Sequence, residues 1–362
     1  MAVLGAGVIG LACARALALR GARVTLIEAQ THSREASWAA GGMLAPHSEF
    51  DRPDPLFGLG RVSLALYPSL RDALRETTGH DIDLRLCGTL VLYFTEDEMR
   101  TQRMRPFLDS VGVDHRLLTA EEVRREEPSA SPEVVGALEV PDHAVDNRRL
   151  WEALHADCTR LGVRLAFGCP IERVTAANQR ISEVHSGEES FRAGEFVIAA
   201  GAWSRSLAEL MGFELPVVPV KGQMLRLTVT PDLVRHVLRR GSHYLVPREG
   251  PHLVVGATTE HAEFDKSLTD QGLEHLLQGA VSMVPTLATC AVEERWAGLR
   301  PRLADGLPGI GRAPHFENLT LATGHYRNGI LLTPITGEAV ASVVLGEKPP
   351  VDLAPFDPRR FS

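Results

Sequence analysis

A chain of 362 residues, 44% hydrophobic and 23% charged, can bury a substantial core in two domains and has the balance of a soluble globular protein. Its net charge of −8, with Lys and Arg scattered along the chain, excludes a nucleic-acid binder. The five Cys (13, 87, 158, 169 and 290) are odd in number and lack C-x-x-C spacing, which excludes a disulfide framework or a zinc site and fits a reducing compartment.

Ala2-Val3-Leu4 reads as a short strand entering Gly5-Ala6-Gly7-Val8-Ile9-Gly10. A helix of small and apolar residues continues to Arg20, and Gly21 stops it. A second strand, 23–27, ends in Glu28 and Ala29 at about the twenty-residue spacing of a dinucleotide fingerprint. In that arrangement the glycines bring backbone up to a pyrophosphate at the helix N-terminus, and Glu28 accepts from a ribose hydroxyl. The pattern does not separate NAD from FAD. The first strand starts almost at the terminus, which makes it short for a central strand. Residues 1–20 could pass for a signal peptide, but they lack a cationic start and Arg15 interrupts the apolar run. No run approaches the roughly 18 apolar residues of a membrane span, so a cytoplasmic location is expected.

The next segment carries Ala39, Ala40, Gly41, Gly42, Met43 and Leu44 within the loop 37–46. Backbone this poor in side chains can lie flat against a planar ring and donate N–H groups to it. Residues 61–78 have helical periodicity, with Leu64, Leu66, Leu70 and Leu74 near one face. A buried strand is expected over 88–94, polar helices over 96–111 and 119–127, and a break over 128–132. A helix over 147–161, a strand over 163–167 and short strands at 171–175, 180–185 and 191–192 follow. The apolar strand from Phe196 ends in Gly201, with Trp203 close behind, and ligands in open α/β sheets sit at such C-terminal strand ends.

Between 205 and 294 the texture changes. Strands at 223–228, 243–247 and 252–256 suggest an antiparallel sheet, with a helix over 269–283. Residues 292–296 return the chain to Gly298-Leu299-Arg300-Pro301. The expected fold is therefore α/β: a Rossmann-type dinucleotide domain with a central parallel sheet (1–85, 141–205 and 295–362) and an inserted antiparallel-sheet domain (86–140 and 206–294) for substrate. Last, a strand over 319–323 enters Gly324, and Arg327 stands beside Asn328-Gly329-Ile330-Leu331. Thr333-Pro334 reads as N-cap and first position of a helix over 335–345. A guanidinium and a helix N-terminus aimed at one small volume suit an anionic ligand or a cofactor that becomes anionic.

Three stretches together resemble the D-amino acid oxidase family of flavoproteins, most closely its glycine-oxidising branch. They are the fingerprint with the 37–46 loop; Trp296-Ala297-Gly298-Leu299-Arg300-Pro301 with Asp305-Gly306-Leu307-Pro308; and Gly324-His325-Tyr326-Arg327-Asn328-Gly329-Ile330-Leu331. The resemblance implies a bound FAD and oxidation of a small amino acid to its imine by hydride transfer, with the electrons passed to oxygen as hydrogen peroxide. Glycine would give glyoxylate and ammonia. Some members feed the imine to thiamine thiazole synthesis, which makes a thiazole synthase a candidate partner, and a homo-oligomer, a tetramer, is implied.

Residue by residue, Arg327 matches the arginine that pairs with the substrate carboxylate, Tyr244 its hydrogen-bonding tyrosine, and Arg300 an arginine lining the flavin pocket. Val174 falls on the adenine side, and Gly42, Met43 and Leu44 beside the isoalloxazine ring. A relative that ties its flavin to a C-terminal Cys differs from this chain, whose last Cys, Cys290, precedes the flavin motif; non-covalent FAD is expected. His243 and His325 read as structural. A sarcosine or small D-amino acid oxidase, a quinone-linked dehydrogenase and a non-catalytic nucleotide-binding subunit stay open.

Overall fold

The computed structural model describes residues 1–32 and 34–361. Its nucleotide-side sheet has six strands in the order Gly309–Arg312, Leu319–Thr323, Phe196–Ile198, Ala2–Leu4, Thr25–Glu28, Arg164–Phe167. All pair in parallel except Gly309–Arg312, which runs antiparallel to Leu319–Thr323. The first strand is central and only three residues long, all buried. It suffices because Phe196–Ile198 and Thr25–Glu28 pair with those same three residues from either side. Helix Val8–Leu19, lined with Gly and Ala, then packs tightly: a Cβ on Gly10 would meet the Gly5 carbonyl oxygen at 1.9 Å. Gly10 therefore serves helix–strand packing.

The second sheet has eight strands in the order Ala291–Leu303, Val217–Thr228, His252–Gly256, His243–Pro247, Val237–Arg240, Thr89–Tyr93, Gly136–Val140, Arg116–Thr119. It is antiparallel but for one joint, where Val237–Arg240 runs parallel to Thr89–Tyr93. That joint unites the chain's two excursions from the first sheet. Helix Asp270–Met283 covers one face, burying Leu276, Ala280 and Met283 against Leu225, Leu245 and Val255.

Strands Val217–Thr228 and Ala291–Leu303 pair along nearly their whole length and carry the second sheet over to the cleft. The sequence shows only their distal halves, because Pro219, Gly222, Gly298 and Pro301 read as breaks. In the ladder these breakers face each other, Pro219 opposite Pro301 and Gly222 opposite Gly298, so each interruption is shared. Residues 295–303, expected with the dinucleotide domain, are thus strand in the second sheet.

Helix Pro55–Thr78 begins earlier than expected, where the Asp54 side chain accepts from the Leu56 N–H at 2.8 Å and proline takes the first position. The helix expected over 96–111 is two, Glu96–Thr101 and Met104–Ser110; Pro106 is tolerated only in the first turn of the second. Strands Arg116–Thr119, Gly136–Val140 and Val237–Arg240 have no counterpart in the sequence expectation. No helix among the described residues is long and apolar enough to cross a membrane.

Candidate active site

One elongated cavity runs from the C-terminal ends of the parallel strands to the floor of the second sheet. At the nucleotide end it is lined by Gly5, Gly7, Val8, Ile9, Glu28 and Ala29. Glu28 is held in place by accepting from the Ala6 N–H at 2.7 Å and the Gln30 N–H at 3.0 Å. Ser37 Oγ accepts from Val8 N–H at 3.0 Å, tying the 37–46 loop to the start of the first helix. Gly201 and Trp203 form part of the wall.

Midway, the cavity passes between two loops of similar design. In the first, Ala39, Ala40, Gly41, Gly42 and Met43 face the cavity. The loop's carbonyls are drawn the other way. Asn147 Nδ2 donates to the carbonyls of Ser37 and Trp38 at 2.8 and 2.9 Å, Trp296 Nε1 to Ala39 at 2.9 Å, buried Arg248 to Gly41 at 2.8 Å, and the Val145 N–H to Gly42 at 2.8 Å. Among the described residues the N–H groups of Gly41 and Gly42 find no intrachain acceptor. Gly42 has φ +71°, and a Cβ there would meet the Val145 carbonyl oxygen at 2.0 Å, so only glycine fits.

The second loop is the turn Asn328, Gly329, Ile330, all at the cavity. Tyr67 donates to the Ile330 carbonyl and Ser63 to that of Leu331. The N–H groups of Gly329 and Ile330 likewise find no acceptor among the described residues. Helix Thr333–Leu345 follows, one residue earlier than expected: Leu332 is the N-cap and Thr333 the first helical residue, its hydroxyl donating to the Gly329 carbonyl at 2.9 Å. Two strips of unpaired N–H donors, beside a helix N-terminus, fit a flat ring with polar edges and developing negative charge.

At the far end stand Tyr244, Arg300, Arg327, Glu49 and Met224. The Tyr244 ring is wedged between Gly41 and Gly256, where a Cβ would meet it at 2.7 and 2.4 Å. Burial pushes the Tyr244 hydroxyl above its ordinary pKa, against the pull of Arg300 and Arg327, and the hydroxyl donates to Met224 Sδ at 3.5 Å. Arg300 donates to the carbonyls of Lys221 at 3.3 Å and Thr258 at 3.1 Å, and no carboxylate pairs with it among the described residues. Arg327 differs: its Nη2 pairs with Glu49 Oε1 at 3.1 Å. Burial works against the Arg327 charge, but Glu49 and its neighbours hold its pKa above the ordinary value. His325 also lines the cavity; burial pushes it down to about 3, so it is neutral, bonded to Thr336 Oγ1 at 3.1 Å.

Four expected cofactor residues are not among the lining. Gly10 packs helix on strand, Leu44 is fully buried in a two-residue strand paired with His143–Ala144, and Leu331 turns its carbonyl to Ser63. Val174 lies in strand Arg173–Ala177 opposite Val184; Cys169, Pro170 and Ile171 line the cavity there instead. The sequence missed Glu49, which follows the Ala/Gly loop without any motif, and the pinning residues Asn147, Arg248 and Tyr67. Only the tertiary fold brings these to the cleft.

A dinucleotide cradle, two donor strips and a cationic end define an oxidoreductase that uses a flavin. The chain belongs to the FAD dependent oxidoreductase family, DAO, whose pattern matches residues 1–343, and FAD is its cofactor. It is 36% identical over 364 residues to glycine oxidase of Pseudomonas aeruginosa, covering 98% of this chain and 97% of that protein. The crystal structure of glycine oxidase from Geobacillus kaustophilus superposes with a TM-score of 0.94 at 36% identity, covering 98% of this chain and 97% of that one. The bifunctional protein ThiO/ThiG of Synechocystis is 35% identical over 366 residues; 99% of this chain matches 53% of it, so the chain spans about half that protein's length.

Proposed function

We propose that this protein oxidises glycine or a similarly small amino acid to its imine, which water converts to glyoxylate and ammonia when glycine is the substrate. FAD, held there, would supply the two-electron chemistry: a hydride acceptor for the substrate carbon that oxygen would reoxidise, with hydrogen peroxide as the product. The observation that carries the reading is Arg300, a guanidinium without a carboxylate partner among the described residues, at the same cavity end as Tyr244 and next to the donor loops.

In this reading Arg300 and Tyr244 hold the substrate carboxylate, the guanidinium by a charge-assisted contact and the hydroxyl by a hydrogen bond. The family resemblance gives that role to Arg327; its pairing with Glu49 favours Arg300. Gly5, Gly7, Glu28 and Ala29 hold the dinucleotide, and the N–H groups of Gly41, Gly42, Gly329 and Ile330 address the ring. Orientation does most of the catalysis, since a neutral amine releases hydride without a protein acid or base. Neither His325, buried and neutral, nor Tyr244 is poised as a base. Supply of the imine to a thiazole synthase is supported by relatives in which the matching half is fused under the name ThiO/ThiG. Purified FAD-loaded protein given glycine in air should release peroxide and glyoxylate in equal amounts. Glyoxylate without peroxide would assign the electrons to another acceptor.

A further inference from the structure

We propose that Glu49 keeps the site to monocarboxylates by occupying Arg327, and that removing its charge opens a second carboxylate subsite there. The inference rests on the reading that Arg300 and Tyr244 hold the substrate's own carboxylate.

Glu49 is not a loose surface counter-ion. The loop that carries it is pinned by Asp142, fully buried, which accepts from the His47 N–H at 2.9 Å, the Ser48 N–H at 2.8 Å and the His47 ring Nδ1 at 2.8 Å. From that anchor the Glu49 side chain, 17% exposed, sets Oε1 3.1 Å from Arg327 Nη2 and 3.2 Å from Arg239 Nη1. Arg239 is in turn bonded to the Ser48 carbonyl. One carboxylate, fixed by its loop, thus serves two guanidiniums.

Of the residues in this cluster, Glu49 and Arg327 line the cavity, together with Arg300 and Tyr244. Gly222, against which the Arg300 guanidinium lies, and Gly41 and Gly256, which hold the Tyr244 ring, line or border the same cavity as Arg327. With the Glu49 side chain in place, a ligand meets Arg300 without a carboxylate partner among the described residues and Arg327 already paired. A ligand's second carboxylate would face the Glu49 anion across a partly buried site, and like charges there repel strongly. When Glu49 is replaced by a residue without a carboxylate, Arg327 and Arg239 lose their shared partner, and a ligand carboxylate can replace it.

The test compares glutarate with pentanoate, which differ only in having a carboxylate or a methyl at the far end and carry no amine to oxidise. Dissociation constants are read from the change in the visible flavin spectrum of FAD-loaded protein. In wild type, glutarate should bind no better than pentanoate. In Glu49→Gln and in Glu49→Ala the glutarate-to-pentanoate ratio of dissociation constants should fall by about tenfold or more, the scale of one charge-assisted contact. Adding Arg327→Gln should reverse the fall. A ratio unchanged in both Glu49 variants, or a gain that survives Arg327→Gln, overturns the proposal. If the Glu49 variants lose FAD, Arg327→Gln alone decides: an unchanged ratio supports an occupied Arg327, and a loss of glutarate affinity overturns it. A wild type that neither binds pentanoate nor oxidises glycine would instead remove the reading beneath.

Discussion

The guanidinium of Arg300 lies against Gly222, where a Cβ would come within 2.2 Å of Nη2 and 2.4 Å of Nη1. Gly222 faces Gly298 across the ladder, and a Cβ on Gly298 would strike Ala39 Cβ at 2.4 Å. One glycine pair thus makes room for the Arg300 guanidinium and for the loop at Ala39. Gly222→Ala is expected to displace Arg300 and raise KM for glycine about tenfold or more, the loss of one charge-assisted contact. FAD content should stay near wild type. Steady-state kinetics and the flavin-to-protein absorbance ratio check both halves.

Arg300→Ala should lose about 2–5 kcal/mol in kcat/KM, the cost of truncating a desolvated charged contact. Arg300→Lys should recover only part, because a point charge does not reproduce the planar fork. Arg327→Ala should lose less, since Arg327 is already paired with Glu49. A reversed order of the two alanine variants would return the carboxylate to Arg327.

The pH dependence follows from two shifts. Burial raises the Tyr244 pKa, so its hydroxyl keeps its proton beyond the ordinary value of about 10. Burial lowers His325 to about 3, so it loses its proton well below neutrality and contributes no limb above it. The alkaline rise in anaerobic flavin reduction at low substrate should therefore belong to the substrate amine. For two substrates whose amine pKa values differ, the midpoint should move with the substrate. Tyr244→Phe should leave it in place and weaken binding by about 1 kcal/mol for one hydrogen bond. A midpoint common to both substrates would identify a protein base.

Arg248 should matter for the cofactor more than for the substrate. It is 8% exposed and holds the Gly41 carbonyl, with Asp146 at 3.8 Å from its Nε. Arg248→Met leaves that carbonyl unpaired, at about 1–3 kcal/mol, and frees the loop to turn its N–H groups away. Lower FAD occupancy and a lower Tm are expected, with KM for glycine in the loaded fraction little changed. The FAD itself should leave the denatured chain on acid precipitation: Cys290 is not among the cavity lining, and Cys169, which is, stands with Pro170 and Ile171 at the nucleotide end rather than beside the two donor loops.

What was legible in the sequence is what is local. The fingerprint Gly5 to Gly10 with Glu28, and the helix after Pro334, each hold their strand, turn and helix within one continuous segment. What was not legible depends on distant pairing. The parallel joint of Val237–Arg240 with Thr89–Tyr93 leaves no signal in either segment. Pro219 and Pro301 look like strand ends until they are seen opposite each other. The pairing of Arg327 was hidden for the same reason: Arg327 sits in the more distinctive motif, but Glu49, 278 positions away, pairs with it, which is why the proposed reading turns to Arg300. Asn147, Arg248 and Tyr67 pin loop carbonyls from far along the chain, and side-chain-to-backbone bonds of that range carry no sequence spacing.

The most direct test of the central claim is an anaerobic titration of the FAD-loaded protein with glycine, followed at the visible flavin band. Full bleaching with glycine, with glyoxylate formed in proportion to the flavin and most of the effect lost in Arg300→Ala, is the expected result. Bleaching that Arg300→Ala leaves untouched, or a band that no small amino acid reduces while dithionite does, would contradict it.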